Sequence, residues 1–209
     1  LYSDNVTWPS TYVIIPHWFH THYGDTRIIA DHYPHMKKWI QHMRQYITDD
    51  GLMPRDRYGD WCVPPEDPGL IHSKDPSRKA EAALLGTTYF YHDTRLMESY
   101  AKLLGKDADA REFAAQAGRL AAAFEAEFWN EAAGVYGKGT QTGQVLPLYF
   151  GLTPENRRDR VAGALVDSIM EDNDGHLATG LVGGQWLMRT LTESGHVDVA
   201  WTIATQEDY

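Results

Sequence analysis

Apolar side chains recur at three- and four-residue steps along most of this chain, the spacing that lines one face of an α-helix. The clearest predicted helix covers residues 34–47. Its apolar face consists of Met36, Trp39, Ile40, Met43 and Ile47. No run of alternating β-branched residues competes with this pattern. The periodicity therefore predicts an all-α fold.

The same spacing predicts a pair of helices in the middle of the chain. Residues 77–104 and 107–128 each carry an apolar stripe, and Gly105 lies between them. Glycine readily takes the left-handed conformation that ends a helix, so the two segments read as one helical hairpin. Three shorter helices are predicted at 154–169, 184–191 and 197–204. We expect seven or eight helices in all.

Three polar loops between these helices contain a glycine in a similar setting. Gly51, Gly134 and Gly175 are separated by 83 and 41 residues, close to two units and one unit of a common period. A period of ~40 residues is typical of a helical hairpin with its loop. Arrays of such hairpins either stay open or close into a toroid.

Closure of such a ring requires more helices than this chain supplies. A toroid of six hairpins, written (α/α)6, has twelve helices, so we expect residues 1–209 to form either an open array or an incomplete toroid. The chain also begins at Leu1 without an initiator methionine or a secretory signal pattern. If the array is not open, we therefore expect the chain to be a piece of a longer protein.

The charge of the chain excludes two classes of partner. It carries 19 Lys and Arg against 29 Asp and Glu, a formal charge of −10. Nucleic acids and anionic membranes require clustered cations, so neither is an expected partner. No apolar run approaches the ~20 residues of a membrane span. The single cysteine, Cys62, excludes an intrachain disulfide framework.

The most unusual segment is the loop at residues 55–68, with three prolines, two aromatic residues and four acids. Long ordered loops on rigid scaffolds often carry function. Tyr58 and Trp61 can offer flat apolar faces to a sugar, while Asp60 can accept hydrogen bonds from its hydroxyls. Alternatively, Trp61 anchors the loop and Asp60 forms a turn beside Gly59.

A second glycine-rich segment, residues 179–186, leads into a predicted helix. It lacks the Lys-Ser/Thr of a phosphate-binding loop and follows no predicted strand, so phosphate binding is not expected. Close passage of backbone explains the three glycines better. Gln185 and Trp186 would then be presented at the start of the helix.

The histidines do not form a metal-binding pattern. His17, His20 and His22 are near neighbours in sequence, but positions i and i+5 do not share a helix face, and no His-Glu-x-x-His pattern is present. Cys62 lacks the sequence signature of a cysteine enzyme. We expect no metal and no cofactor.

Several segments in the same order resemble the catalytic domain of bacterial α-L-rhamnosidases of glycoside hydrolase family 78. The resemblance extends over the whole chain. The segments are Trp8-Pro9, Ile15-Pro16, Tyr23-Gly24-Asp25, residues 33–40, Tyr58-Gly59-Asp60-Trp61, residues 103–109, Gln141-Thr142, residues 175–180 and residues 183–189.

The resemblance implies that residues 1–209 are the central part of a six-hairpin glycosidase catalytic domain with the (α/α)6 toroid fold. It also implies an inverting hydrolase that removes terminal α-L-rhamnose. The family's general acid lies in an Asp-Cys-Pro-x-Arg-x-Glu segment and its general base in a Gly-Ala-Thr-Thr-x-Trp-Glu segment. Neither segment is present in residues 1–209. We therefore expect this chain to lack both catalytic carboxylates, and expect a bacterial secreted or periplasmic location from the resemblance alone.

The resemblance also implies which residues bind the sugar. Asp60 and Trp61 match a stretch at the rhamnose-binding mouth, with Asp60 as hydroxyl acceptor and Trp61 as a stacking wall. Tyr58, Gln185 and Trp186 are placed at the same mouth because their loops follow hairpins on one face. Two alternatives stay open: a six-hairpin glycosidase acting on another sugar, and a non-catalytic helical-repeat interaction module.

Overall fold

The computed structural model describes residues 5–67 and 69–207, and this part of the chain contains eight α-helices. The elements are α1 (Thr11–Tyr23), α2 (Arg27–Met43), α3 (Ala82–Leu103), α4 (Asp107–Phe128), β1 (Trp129–Asn130), β2 (Val135–Tyr136), α5 (Gln141–Tyr149), α6 (Arg158–Met170), α7 (Leu181–Glu193) and α8 (Val197–Ala204). The predicted all-α class is confirmed. Leu1, Pro68 and Tyr209 lie outside the described residues. Within the described ranges, no helix has both the length and the apolar character needed to cross a membrane.

The helix bounds agree with the sequence expectation in some helices and differ from it in others. The bounds of α4 and α8 are the predicted ones, whereas α2 begins at Arg27 rather than at residue 34. Pro34 therefore lies inside α2, where it removes one backbone hydrogen bond. Ile29 and Tyr33 are buried and continue the apolar face towards the N-terminus, which offsets that loss. The expectation that the helix starts at Pro34 was wrong for this reason.

Two helices and a short β-ribbon were not expected from the sequence. In α1, apolar residues lie on several faces, so no single stripe is visible. In α5, eight of nine residues are buried, including polar ones such as Gln144. A helix buried all round has no polar face for periodicity to reveal. The ribbon pairs β1 with β2 antiparallel through only two residues on each strand.

The described chain divides into two compact units. The first contains residues 5–57 and 86–126, and its core includes Met36, Ile40 and Met43 of α2. Within it, Asp109 of α4 accepts hydrogen bonds from the Tyr33 hydroxyl at 2.8 Å and from the Lys37 ammonium at 2.7 Å. This half-buried pair of contacts joins α2 to α4.

The second unit contains residues 58–85 and 127–207, with Pro68 outside the described part. Its centre is α5, which packs against both α6 and α7, and α7 in turn packs against α8. Tyr136, Val145 and Leu187 are buried in its core. This unit contains all five residues for which the sequence suggested a role in sugar binding.

A buried carboxyl group lies in the first unit. Asp93 in α3 is fully buried, and its Oδ2 accepts a hydrogen bond from the Ser10 hydroxyl at 2.5 Å. Its other oxygen has no hydrogen-bond partner. Burial raises the pKa of Asp93 to about 8, and the hydrogen bond from Ser10 opposes the rise. Asp93 is therefore protonated in the folded chain at neutral pH.

This protonation makes the stability of the protein pH-dependent. An aspartic acid in the unfolded chain has a pKa of about 3.9, so between about pH 4 and 8 the folded chain binds one proton more than the unfolded chain. The free energy of unfolding should fall as pH rises through this window, by up to ~1.4 kcal/mol per pH unit, and this contribution should level off above pH 8.

Urea denaturation of the wild type and of Asp93→Asn at a series of pH values measures the effect. Because the amide imitates the neutral acid, the stability advantage of Asp93→Asn should grow between pH 5 and 8. A difference between the two proteins that does not change with pH would show that Asp93 is ionised in the fold.

Candidate active site

The side chain of Asp60 is buried at the start of α7. It is 1% exposed, and its oxygens accept hydrogen bonds from three backbone N–H groups of that segment. The distances are 2.8 Å from Gly180 N to Oδ2, 3.0 Å from Val182 N to Oδ1 and 3.1 Å from Gly183 N to Oδ1. The hydroxyl of Thr142 on α5 donates a fourth hydrogen bond to Oδ2.

These contacts satisfy the N-terminus of α7. The first N–H groups of a helix have no acceptor within the helix, and they form its positive end. The N-cap position is Gly180, which has no side chain to serve as an acceptor. Asp60, about 120 residues earlier in the chain, supplies the carboxylate instead. A loop residue thereby fixes the position of a helix end.

Burial and hydrogen bonding act in opposite directions on the pKa of Asp60. Burial raises the pKa above its usual value, while hydrogen bonds from Thr142, Gly180, Gly183 and Val182 oppose that rise. Backbone N–H groups can only donate, so three of the four partners require an acceptor oxygen. The arrangement is therefore complementary to the ionised carboxylate.

Trp61 follows directly and lies at the surface of the same unit. Its side chain is 50% exposed, while its backbone oxygen accepts a hydrogen bond from Leu181 N at 2.7 Å. A Cβ atom at Gly180 would lie 2.4 Å from the Trp61 oxygen and 2.5 Å from the Asp60 oxygen. Only glycine permits this approach, which agrees with the close backbone passage expected for residues 179–186.

The other three predicted residues lie in different environments. Tyr58 is 46% exposed, and Gln185 is exposed on the first turn and a half of α7. Trp186 is 1% exposed, and its ring centroid lies 4.7 Å from that of Tyr149 and 5.1 Å from that of Phe150. In this structure Trp186 is part of the core, so it offers no open stacking face.

The structure thus brings two predicted segments together. The loop of Asp60 and Trp61 contacts the glycine segment that precedes Gln185, although about 120 residues separate them. Thr142 is the member of this arrangement that residue-by-residue reasoning missed. The dipeptide Gln141-Thr142 contributed only to the family resemblance, and no local spacing connects it to Asp60.

The described residues contain no group of three or more His, Cys, Asp or Glu side chains that could hold a metal ion. His17 is half-buried, and burial is the main cause that lowers its pKa, with repulsion from His20 and His22 adding to it. Cys62 is exposed, with backbone in the left-handed region at φ 64°. The exposed side chains of this loop include the aromatic rings of Tyr58 and Trp61 and the thiol of Cys62.

Comparison with known families shows which family the chain belongs to. Residues 1–209 match the family described as the bacterial alpha-L-rhamnosidase 6 hairpin glycosidase domain. This chain belongs to that family. The six-hairpin glycosidase domain is a helical toroid, and the eight helices of the described residues fit that class.

Curated relatives of this six-hairpin glycosidase chain carry the same family name. An alpha-L-rhamnosidase of Streptomyces avermitilis is 33% identical over 202 residues, covering 97% of this chain and 18% of the relative. An alpha-L-rhamnosidase of Formosa agariphila is 29% identical over 206 residues, covering 98% of this chain and 21% of the relative. The chain spans about a fifth of the length of these relatives.

Solved structures give the same family. The alpha-L-rhamnosidase from Dictyoglumus thermophilum matches 99% of this chain and 23% of its own, with 32% identity and a TM-score of 0.86. The Streptomyces avermitilis alpha-L-rhamnosidase complexed with L-rhamnose matches 99% of this chain and 18% of its own, with 30% identity and a TM-score of 0.85. The fold of this rhamnosidase-family chain therefore agrees with that of both enzymes.

A glycine substitution tests the close approach at the start of α7. Gly180→Ala should destabilise the chain by ~1–3 kcal/mol, because its Cβ would overlap two backbone oxygens that cannot rotate away. Gly163→Ala is the matched control, since this glycine lies inside α6 with open space around it. The control should stabilise the chain by ~0.5–1 kcal/mol through helix propensity. Equal effects of the two variants in thermal or urea unfolding would contradict the packing described.

Proposed function

We propose that this chain is part of an α-L-rhamnosidase that removes terminal α-L-rhamnose from glycosides or polysaccharides with inversion. The match of the whole chain to the rhamnosidase glycosidase domain carries the proposal. The likeness to two rhamnosidase structures, at TM-scores of 0.86 and 0.85, supports it. The choice of rhamnose as the sugar rests on the names of the relatives, because a helical toroid by itself supports many activities.

Within this proposal, the chain contributes part of the wall of the sugar site. Trp61 and Tyr58 are half-exposed aromatic residues on one loop, and such rings pack against the C–H face of a sugar. Gln185 is exposed and can exchange hydrogen bonds with hydroxyl groups. The proposal also assigns Asp60 and Trp186 to the site, and the side chains of both are buried.

The catalytic carboxylates are assigned to segments outside residues 1–209. Inversion requires a general acid and a general base ~6.5–9.5 Å apart, so that a water molecule fits between the base and the sugar. The two family segments that hold these residues have no counterpart in this sequence. We therefore expect the chain alone to be inactive.

Activity assays separate the chain from the full-length protein that contains it. The full-length protein should release nitrophenol from 4-nitrophenyl α-L-rhamnoside, and proton NMR should show β-L-rhamnose as the first product, as inversion requires. The chain alone should release none. Release by the chain that is abolished by a substitution within it would place the catalytic pair here. A full-length protein that leaves rhamnosides intact while cleaving another aryl glycoside would assign a different sugar.

Trp61→Ala tests the aromatic wall in the full-length protein. Loss of one stacking ring should weaken L-rhamnose binding by about tenfold, equivalent to ~1.4 kcal/mol, as measured by calorimetry. Tyr23→Ala, which removes an exposed aromatic residue outside the proposed site, is the control and should bind normally.

The neighbouring thiol of Cys62 gives a second readout. It is exposed beside Trp61, so bound L-rhamnose should slow its alkylation by iodoacetamide, measured by mass spectrometry of its peptide. Unchanged L-rhamnose affinity in Trp61→Ala, together with unprotected Cys62, would exclude this loop from the site.

A further inference from the structure

We propose that Asp60 is a positioning residue, which holds Trp61 in place for sugar binding and does not itself contact the sugar. The inference rests on the proposed function of Trp61. It departs from the role of hydroxyl acceptor that the family resemblance implies for Asp60. Four observations on the loop and on the start of α7 support it.

The first observation is that the hydrogen-bonding capacity of the Asp60 carboxylate is already used. Each of its oxygens accepts two hydrogen bonds, and an ionised carboxylate offers about four lone-pair sites. The side chain is 1% exposed. A sugar hydroxyl could reach it only by displacing the Thr142 hydroxyl or an N–H group at the start of α7.

The second observation is that the backbone of Trp61 is held on both sides. The side chain of Asp60 accepts hydrogen bonds from three N–H groups at the start of α7. The N–H of Leu181, which lies between Gly180 and Val182, donates to the Trp61 oxygen at 2.7 Å. The Asp60–Trp61 peptide therefore lies directly on the helix terminus. It can move only if these hydrogen bonds break.

The third observation is that two glycines, Gly180 and Gly183, leave room for this contact. Gly180 allows the backbone oxygens of Asp60 and Trp61 to approach closely. A Cβ at Gly183 would lie 2.2 Å from the Thr142 hydroxyl oxygen, so this glycine leaves room for the hydroxyl that binds Asp60. Two glycines thus keep space for one loop residue and its partner.

The fourth observation is strained backbone immediately after Trp61. Cys62 has φ 64°, a conformation that is unfavourable for a residue with a side chain. Such strain persists only where the surroundings determine the backbone, and it concentrates at functional sites. The strained residue follows a half-exposed tryptophan whose own backbone is held on α7.

These observations combine into one physical role. A ring whose backbone is already fixed loses little conformational entropy when a ligand packs on it, so its affinity is higher than that of a mobile ring. A substitution that removes hydrogen bonds of Asp60 should lower the affinity for the sugar only through its effect on the position of Trp61. The effects of changing the two residues should consequently fail to add.

A double-mutant cycle in the full-length protein tests this role, with calorimetric binding of L-rhamnose as the measurement. Asp60→Asn places amide hydrogens against the N–H groups of α7, and should weaken binding by about three- to tenfold. In the Trp61→Ala background, the same change should alter affinity by less than about twofold. A direct sugar contact predicts instead that the two effects multiply.

Milder variants cover the case in which Asp60→Asn fails to fold. Thr142→Val removes only the hydroxyl donor to Asp60 and should weaken binding by about two- to threefold, again only when Trp61 is present. Thr142→Ser restores the hydroxyl and should recover most of the lost affinity. Gln144→Leu is the matched control. It removes two buried hydrogen bonds between the Gln144 side chain and the backbone of Tyr136 in the same unit, and it should leave affinity unchanged.

The position of the Trp61 ring itself is followed by fluorine NMR of protein labelled with 5-fluorotryptophan, with the resonance assigned through Trp61→Phe. Asp60→Asn and Thr142→Val should shift or broaden this resonance, and Gln144→Leu should not. An unchanged resonance in both variants overturns the positioning role. Normal L-rhamnose binding by Trp61→Ala, together with Cys62 that the sugar does not protect, overturns the proposed site instead, so the two failures are distinguishable.

Discussion

The carboxylate of Asp60 at the start of α7 is the contact on which the arrangement of the second unit depends. A helix N-terminus that is buried without an acceptor is costly, because several N–H groups would lose their hydrogen bonds to water. The two oxygens of Asp60 accept hydrogen bonds from these groups and from the Thr142 hydroxyl on α5. One side chain therefore joins the 58–62 loop, α5 and α7.

A comparison of two buried aspartates shows why Asp60 can have this role. Asp60 and Asp93 are both almost inaccessible to water. The oxygens of Asp60 meet four donors, whereas one oxygen of Asp93 has none. Asp93 therefore gains a proton, since burial raises its pKa to about 8. Burial alone does not determine what a carboxyl group does, because the number of donors around it decides which form is stable.

The sequence predicted the fold best where a helix carries an apolar stripe along one face. In α4, apolar residues such as Phe113 and Phe124 face a core and most charged residues face solvent, so the helical period is visible in the sequence. It is invisible in α5, where Gln144 and Thr142 are buried beside Leu146. It is also invisible in α1, whose exposed residues include Phe19 and Tyr23. Packing, rather than local preference, determines these two helices.

Sequence by itself determined the helical class, the short turn at Gly105, the family resemblance and the choice of the 58–61 and 179–186 segments for attention. It also identified glycine as the residue that close backbone contact requires. Only the tertiary structure decided that these segments meet, that Trp61 is half-exposed and that Trp186 is core. The physical reason is that the donors to Asp60 lie about 80 and 120 residues away, and no local pattern in a sequence records such a contact.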